Sequence, residues 1–127
     1  MNKITKKTIM ENSREKGALA EQTARLYAEE LGYKFVQANY FSNVGEIDLI
    51  VRDGDCLVFI EVKSRWSTSF GTAEFAVNKS KLMKMKKTAQ DFLYKTKTKA
   101  NEYRFDMMAL NWVNGVPTIV HYKNVLQ

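Results

Sequence analysis

Ala20, Ala24, Tyr27, Ala28 and Leu31 fall at i, i+4, i+7, i+8 and i+11, the spacing that lines one face of an α-helix. Ser13 is a good N-cap before this stripe and Gly32 a good C-cap after it, so a first helix is predicted between them. Glu21 lies on the stripe's edge near Gly17, Ala24 and Ala28, whose small side chains would let its carboxylate approach whatever the helix packs on. The period then shortens. YKFVQANY at 33–40 reads as a strand, and 46–51 and 56–63 read as two more, joined through the turn RDGD at 52–55. A second helix is predicted over roughly 78–95, entered through FGTAEFAV. Its core stripe is Leu82, Met85, Ala89, Phe92 and Leu93, with Lys81 at one edge and Lys86 at the other. Strands at 103–110 and 118–122 complete the order α-β-β-β-α-β-β, an α/β domain whose central mixed sheet is flanked by helices.

The second and third strands carry charges among their apolar residues. Glu61 and Lys63 share a face, as do Glu46 and Asp48, because side chains alternate along a strand. Pairing Asp53 with Cys56 across the turn sets Leu49 opposite Ile60, Val51 opposite Val58 and Ile47 opposite Val62 on one apolar face. The same register places Asp48 directly opposite Glu61 on the other face. Two facing carboxylates repel, and one stays protonated unless a cation joins them. A hard divalent ion such as Mg²⁺ meets that need and keeps waters for substrate phosphates. Lys63 could then orient or help deprotonate a metal-bound water, or offset charge on a phosphate. The spacing D-x12-E-x-K is loose, and an exposed ion pair of Glu61 with Lys63 or Arg65 also accounts for it.

Charge sharpens this picture. The chain is basic, with a formal net charge of +6 and a pI near 9.4. Lys79, Lys81, Lys84, Lys86, Lys87, Lys95, Lys97 and Lys99 crowd residues 78–100, against the single acid Asp91. Such a face attracts polyanions, although a solvated lysine-rich helix with an exposed basic loop at 95–101 fits the same run. The 127 residues suit one domain, with residues 1–12 as a flexible basic arm, and 45% apolar content argues against wholesale disorder. No apolar stretch approaches the roughly 20 residues of a membrane helix, and the N-terminus has no apolar h-region. No membrane association and a cytoplasmic location are therefore expected. Cys56, the lone cysteine, reads as a small core residue, and His121 has no partner at metal-ligand spacing and no expected catalytic role.

Four stretches carry a resemblance: GALAEQTARLYAEELGY at 17–33, NVGEIDLIVRDGDCLVFIEVKSR at 43–65, FGTAEFAVNKSKLMKMKKTAQDFL at 70–93 and RFD at 104–106. In this order the chain resembles the YraN-like family of small bacterial endonuclease-like proteins. Through Asp followed by Glu-x-Lys it resembles the PD-(D/E)-x-K superfamily of metal-dependent nucleases, which includes type II restriction enzymes and archaeal Holliday-junction resolvases. The resemblance implies a restriction endonuclease-like fold, with Asp48 and Glu61 as metal ligands and Lys63 as the catalytic lysine. Glu21 matches the extra acidic residue that resolvase-like members bring toward the metal. Lys81 matches a basic position of the family and could contact a scissile or neighbouring phosphate, and Arg65, which follows the strand end, is a candidate phosphate clamp. The superfamily's proline before the aspartate is Ile47 here, and the chain after Asp106 carries less of the pattern and no assigned function.

Two readings follow. One is an Mg²⁺- or Mn²⁺-dependent endodeoxyribonuclease acting on DNA, branched or structured DNA included. In it Lys79, Lys81, Lys84, Lys86, Lys87 and the 95–99 loop hold the phosphate backbone without reading sequence. The other is a non-catalytic module of the same fold that recruits DNA or RNA for a partner. A structural or regulatory protein with a charged surface is a third. Oligomeric state stays open: resolvase-like relatives act as dimers on two-fold symmetric substrates, which brings in a homodimer, but no dimer stripe is legible.

Overall fold

Two amphipathic helices with separate apolar stripes need two surfaces to cover, and one sheet offers both. In the computed structural model, which describes residues 13–67 and 78–126, each helix takes one face. The expected N-terminal arm and all of FGTAEFAV lie outside the described residues. Helix α1 spans Ser13–Glu30, and strands β1, β2 and β3 span Lys34–Phe41, Glu46–Asp53 and Cys56–Ser67. Helix α2 spans Lys79–Thr96, and β4 and β5 span Glu102–Val113 and Val116–Tyr122. The strands lie in the order β1-β2-β3-β4-β5, all antiparallel except the parallel pair β3–β4, on either side of the α2 crossover. This α-β-β-β-α-β-β mixed sheet is consistent with a restriction endonuclease-like fold. No helix among the described residues is long and apolar enough to cross a membrane.

On one face α1 lays Ala20, Ala24 and Ala28 against Leu49, Val51, Val58, Ile60 and Met108. On the other, α2 buries Leu82, Met85, Ala89 and Phe92 against Ile47, Ile50, Leu57 and Phe59. Each such Leu, Ile or Phe contributes about 1.5–3 kcal/mol by leaving water. Leu31 departs from the predicted stripe and is 45% exposed. Its place is lost to the helix cap: Gly32 takes φ +91°, Gly32 N–H donates to Glu29 O and Tyr33 N–H to Ala28 O, and Tyr33 becomes the buried residue. Ser13 is the first helical residue, not the cap.

Two strands run further than their alternation suggests. β3 continues to Ser67, where Trp66 stacks on Trp112 of β4 at 4.3 Å and Trp112 Nε1 donates to Ser64 Oγ at 2.8 Å. β4 and β5 close on Asn114 and Gly115, both at positive φ (52° and 80°), the turn that matches strand twist in a two-residue hairpin.

A buried polar cluster ties the α1 face together. Asp106 is fully buried and accepts from Arg104 Nε at 3.1 Å and the Asn124 N–H at 3.1 Å, with His121 Nε2 at 2.8 Å. Arg104 also reaches Asp53 and the Tyr33 hydroxyl, each at 2.9 Å. Burial opposes ionisation of Asp106, but His121, the Asn124 N–H and Arg104 outweigh it and hold the carboxyl below its ordinary 3.8. A folded pKa below the unfolded one gives stability that is present above about pH 4 and lost as pH falls further. Asp106→Ala should therefore cost about 3–5 kcal/mol near neutrality, because it breaks the buried pair and leaves Arg104 only the part-exposed Asp53. The deficit against wild type should shrink as melts followed by circular dichroism are taken below about pH 4. A variant melting with wild type at neutral pH would show that the cluster anchors nothing.

Candidate functional site

The predicted register holds for part of the hairpin: Asp53 pairs with Cys56, Val51 with Val58 and Leu49 with Ile60. There the ladder between β2 and β3 stops, while β2 stays paired to β1 as far as Phe41–Glu46. Asp48 and Glu61 are therefore not the directly opposed pair that the alternation predicts. Instead Asp48 Oδ2 accepts the Val62 N–H at 2.8 Å, so a side chain replaces a ladder bond where the strands fork. The neighbouring backbone bends with it. Asn39 of β1 adopts φ +53°, and Ile47, expected beside Leu49 and Val51, packs instead with Ile50 on the α2 side.

The fork collects acids from three elements. Glu21 of α1 is half-buried, and its pKa is raised first by burial and then by the Glu46 charge, against a lowering hydrogen bond from the Asn39 side chain. Asp48 is pushed up to about 7, mainly by burial, with the Val62 N–H opposing and the charges of Glu61, Glu21 and Glu46 adding to the rise. Glu21 and Glu61 are thus each within electrostatic reach of Asp48. Glu46 and Asn39 join them unpredicted.

Cations stand on the α2 side. Glu61, buried to 5% exposure, meets Lys81 Nζ at 2.7 Å and Lys63 Nζ at 3.3 Å. The Asn78 side chain caps α2 by accepting the Lys81 N–H at 3.1 Å, which fixes Lys81 in the first turn, facing β3. Burial works against the Lys81 ammonium, but the hydrogen bond and charge of Glu61 prevail and raise its pKa above the ordinary lysine value. Glu61, Lys63, Asn78 and Lys81 line one small cavity, with Leu82, Met107 and Val125 as its apolar wall. Val125 comes from the tail beyond β5, to which the sequence assigned nothing; its N–H donates to Phe105 O at 2.8 Å. An adjoining groove shares Asn78 and Lys81 and runs past Lys84, Gly45, Glu46 and Val44. Arg65 is exposed on β3 two residues beyond Lys63, while Lys79, Lys86 and Lys87 are exposed on α2 and line neither cavity. Lys95, placed in the predicted basic loop, is helical and pairs with Asp91 at 3.3 Å.

A family described as "Uncharacterised protein family UPF0102" matches residues 20–110, a span that holds Glu21, Asp48, Glu61, Lys63 and Lys81. The chain is 42% identical over 95 residues to a UPF0102 protein of Syntrophus aciditrophicus, covering 75% of each chain. It is 39% identical over 113 residues to one of Vibrio campbellii, covering 82% of this chain and 93% of the relative. It is 37% identical over 113 residues to one of Clostridium kluyveri, covering 87% and 93%. These names specify no activity or ligand.

Chemically, the donor set fits a hard divalent cation: oxygen ligands only, around a carboxylate that its neighbours disfavour as an anion. Asp48, Glu61 and Glu21 are the side chains that would hold it. They are not gathered as a finished cage, since among the described residues no three His, Cys, Asp or Glu side chains are grouped to hold a metal. Without a cation, the crowding should be measurable as instability. The folded pKa of about 7 lies above the unfolded value of 3.8, so ionised Asp48 costs stability above neutrality, and that cost fades as pH falls toward 4. Asp48→Asn keeps an acceptor for Val62 and removes the charge. In chelator it should melt on the order of 5 °C above wild type near pH 8, with the gap closing toward pH 4. Equal melting temperatures near pH 8 would contradict the crowding.

Proposed function

The chain belongs to UPF0102, the YraN family, and from that footing we propose that it is a divalent-metal-dependent nuclease that hydrolyses DNA phosphodiester bonds. The observation that carries this reading is the fork itself. A half-buried, charge-crowded Asp48 feels the charges of Glu21, Glu46 and Glu61, and Glu61 is flanked by the ammonium groups of Lys63 and Lys81. Anionic oxygens suited to a cation thus adjoin cations suited to a phosphate.

Mg²⁺ or Mn²⁺, when bound by Asp48 and Glu61 with Glu21 assisting, supplies Lewis-acid polarisation and a more acidic water. The chain's own residues do the rest. Lys63, two residues beyond Glu61 on the same strand face, orients the attacking water and offsets the charge that builds on the phosphoryl oxygens. The water oxygen bonds to phosphorus as the bond to the leaving oxygen breaks, and the water's proton ends on solvent or the leaving group. Lys81 faces a neighbouring phosphate, and Arg65, Lys79, Lys84, Lys86 and Lys87 draw in the backbone without reading bases. A second reading has its own observation: Glu61 is already neutralised by two ammonium groups, as suits a module that binds DNA or RNA and needs no metal.

Labelled duplex, flap, four-way junction, single-stranded DNA and RNA, incubated with either metal, separate the two. Wild type should cut at least one DNA, and Asp48→Asn and Lys63→Ala should each lower the rate about 10²- to 10⁴-fold. Salt-sensitive binding with no product under any metal selects the binding module. Equal cutting by wild type and both variants refutes the nuclease.

A further inference from the structure

The turn between β1 and β2 is fixed at its base and apolar at its tip. Ser42 N–H donates to Gly45 O at 2.8 Å, and Val44 N–H donates to Ser42 Oγ at 3.2 Å. Ser42 Oγ also shares a hydrogen bond with Thr88 Oγ1 of α2 at 3.2 Å, and Thr88 in turn donates to Lys84 O at 2.8 Å. Gly45 lies so close to α2 that a Cβ there would stand 3.2 Å from Thr88 Oγ1. Two residues before Ser42, in β1, Tyr40 is held by its hydroxyl, which donates to Asp91 at 2.6 Å. Such a docked turn could be wholly polar. It instead presents Phe41 at 67% exposure and Val44 at 46%.

An isolated exposed hydrophobe means little; the position of this pair is what makes it informative. Phe41 is the ladder partner of Glu46, whose charge acts on both Glu21 and Asp48. Val44 lines the groove that Lys81 and Lys84 also line. An exposed aromatic ring thus adjoins the acid end of the fork, three residues from Val44 in the lysine-lined groove. The lysines complement a phosphate backbone, and the ring complements the face of a base. Bases in an intact duplex are stacked on one another and cannot reach it, whereas an unpaired base next to a phosphate held by the lysines can.

On the function proposed above, we infer that Phe41, with Val44 beside it, is a base-stacking platform, and that the substrate is DNA with unpaired bases adjoining the bond that is cut. A duplex and the same duplex carrying a single-stranded flap with 2-aminopurine test this by fluorescence anisotropy and base fluorescence, in chelator so that nothing is cut. Wild type should prefer the flap and quench its 2-aminopurine. Phe41→Ala should weaken flap binding about 10-fold, change duplex binding less than about 2-fold and abolish the quench. Phe41→Trp should restore both signals, and Phe41→Leu neither, which separates stacking from simple apolar contact. Phe41 is exposed, so all three variants should melt with wild type. If wild type binds and cuts DNA while Phe41→Ala keeps its flap preference, or loses flap and duplex binding equally, the platform is overturned alone. If wild type binds no nucleic acid at low salt, the platform falls together with the function it rests on.

Discussion

One hydrogen bond organises the candidate site: the Asp48 carboxylate takes the Val62 N–H where β2 leaves β3. A strand that ends its ladder early strands a buried donor, and an unpaired buried N–H costs about 1–3 kcal/mol. By meeting that donor with a side chain, the fold lets the strands diverge without an orphan. The divergence makes room for Glu21 of α1 and Glu46 of β2 to act on Asp48. Glu61, one residue past the last ladder pair, faces α2 by strand alternation with Leu57 and Phe59, and Lys81 and Lys63 reach it there. Fork and acid cluster follow from a single exchange of backbone for side chain, and the lysine pair adjoins them.

That arrangement works against stability. Asp48 is desolvated beside like charges, and the rest of the molecule has to bear the cost. It does so with two apolar layers and with the Arg104–Asp106–His121 cluster, where opposite charges and a backbone N–H meet a carboxylate that burial alone would have neutralised. Asp106, fully buried, and Asp48, half-buried, thus sit at opposite ends of the scale. Asp106 has every oxygen partnered and is held in its ionised form; Asp48 takes one N–H among the described residues, beside a surplus of negative charge. The first is what a structural anchor needs, the second what a site awaiting a cation needs.

How much of this was legible depended on whether the signal was local. The register of Leu49 with Ile60 could be read because alternation and the Gly54–Asp55 turn both specify it. The fork could not, since it depends on Asn39 entering left-handed space and on Ile47 turning to the other core; only the tolerance of asparagine for positive φ hinted at it. Leu31 satisfied the helical period yet lost its burial to the cap at Gly32, where conformational need overrode the stripe. Lys81 was visible as an edge position, but its partner came from a strand twenty residues earlier, which no helical pattern encodes. Arg104 and Asp106 shared a strand face by alternation, while Asp53, His121 and the Asn124 N–H arrived from elsewhere in the chain. The Val125 wall had no periodic signal at all, being one of two apolar residues after the last strand. Asn114–Gly115 was the opposite case, a strong hairpin signal in the sequence that the strand boundaries alone did not use.

The central claim is that the fork is an electrostatically unfinished cation site, and carbon-detected NMR titration of the side-chain carboxyls, with and without Mg²⁺, tests it most directly. Without metal, Asp48 should titrate near 7, well apart from the ordinary carboxylates. Saturating Mg²⁺ should pull its midpoint down and shift the Glu61 carboxyl resonance with it, because a cation joined to both favours their ionised forms. An Asp48 midpoint near its ordinary 3.8, unmoved by Mg²⁺, would contradict the account.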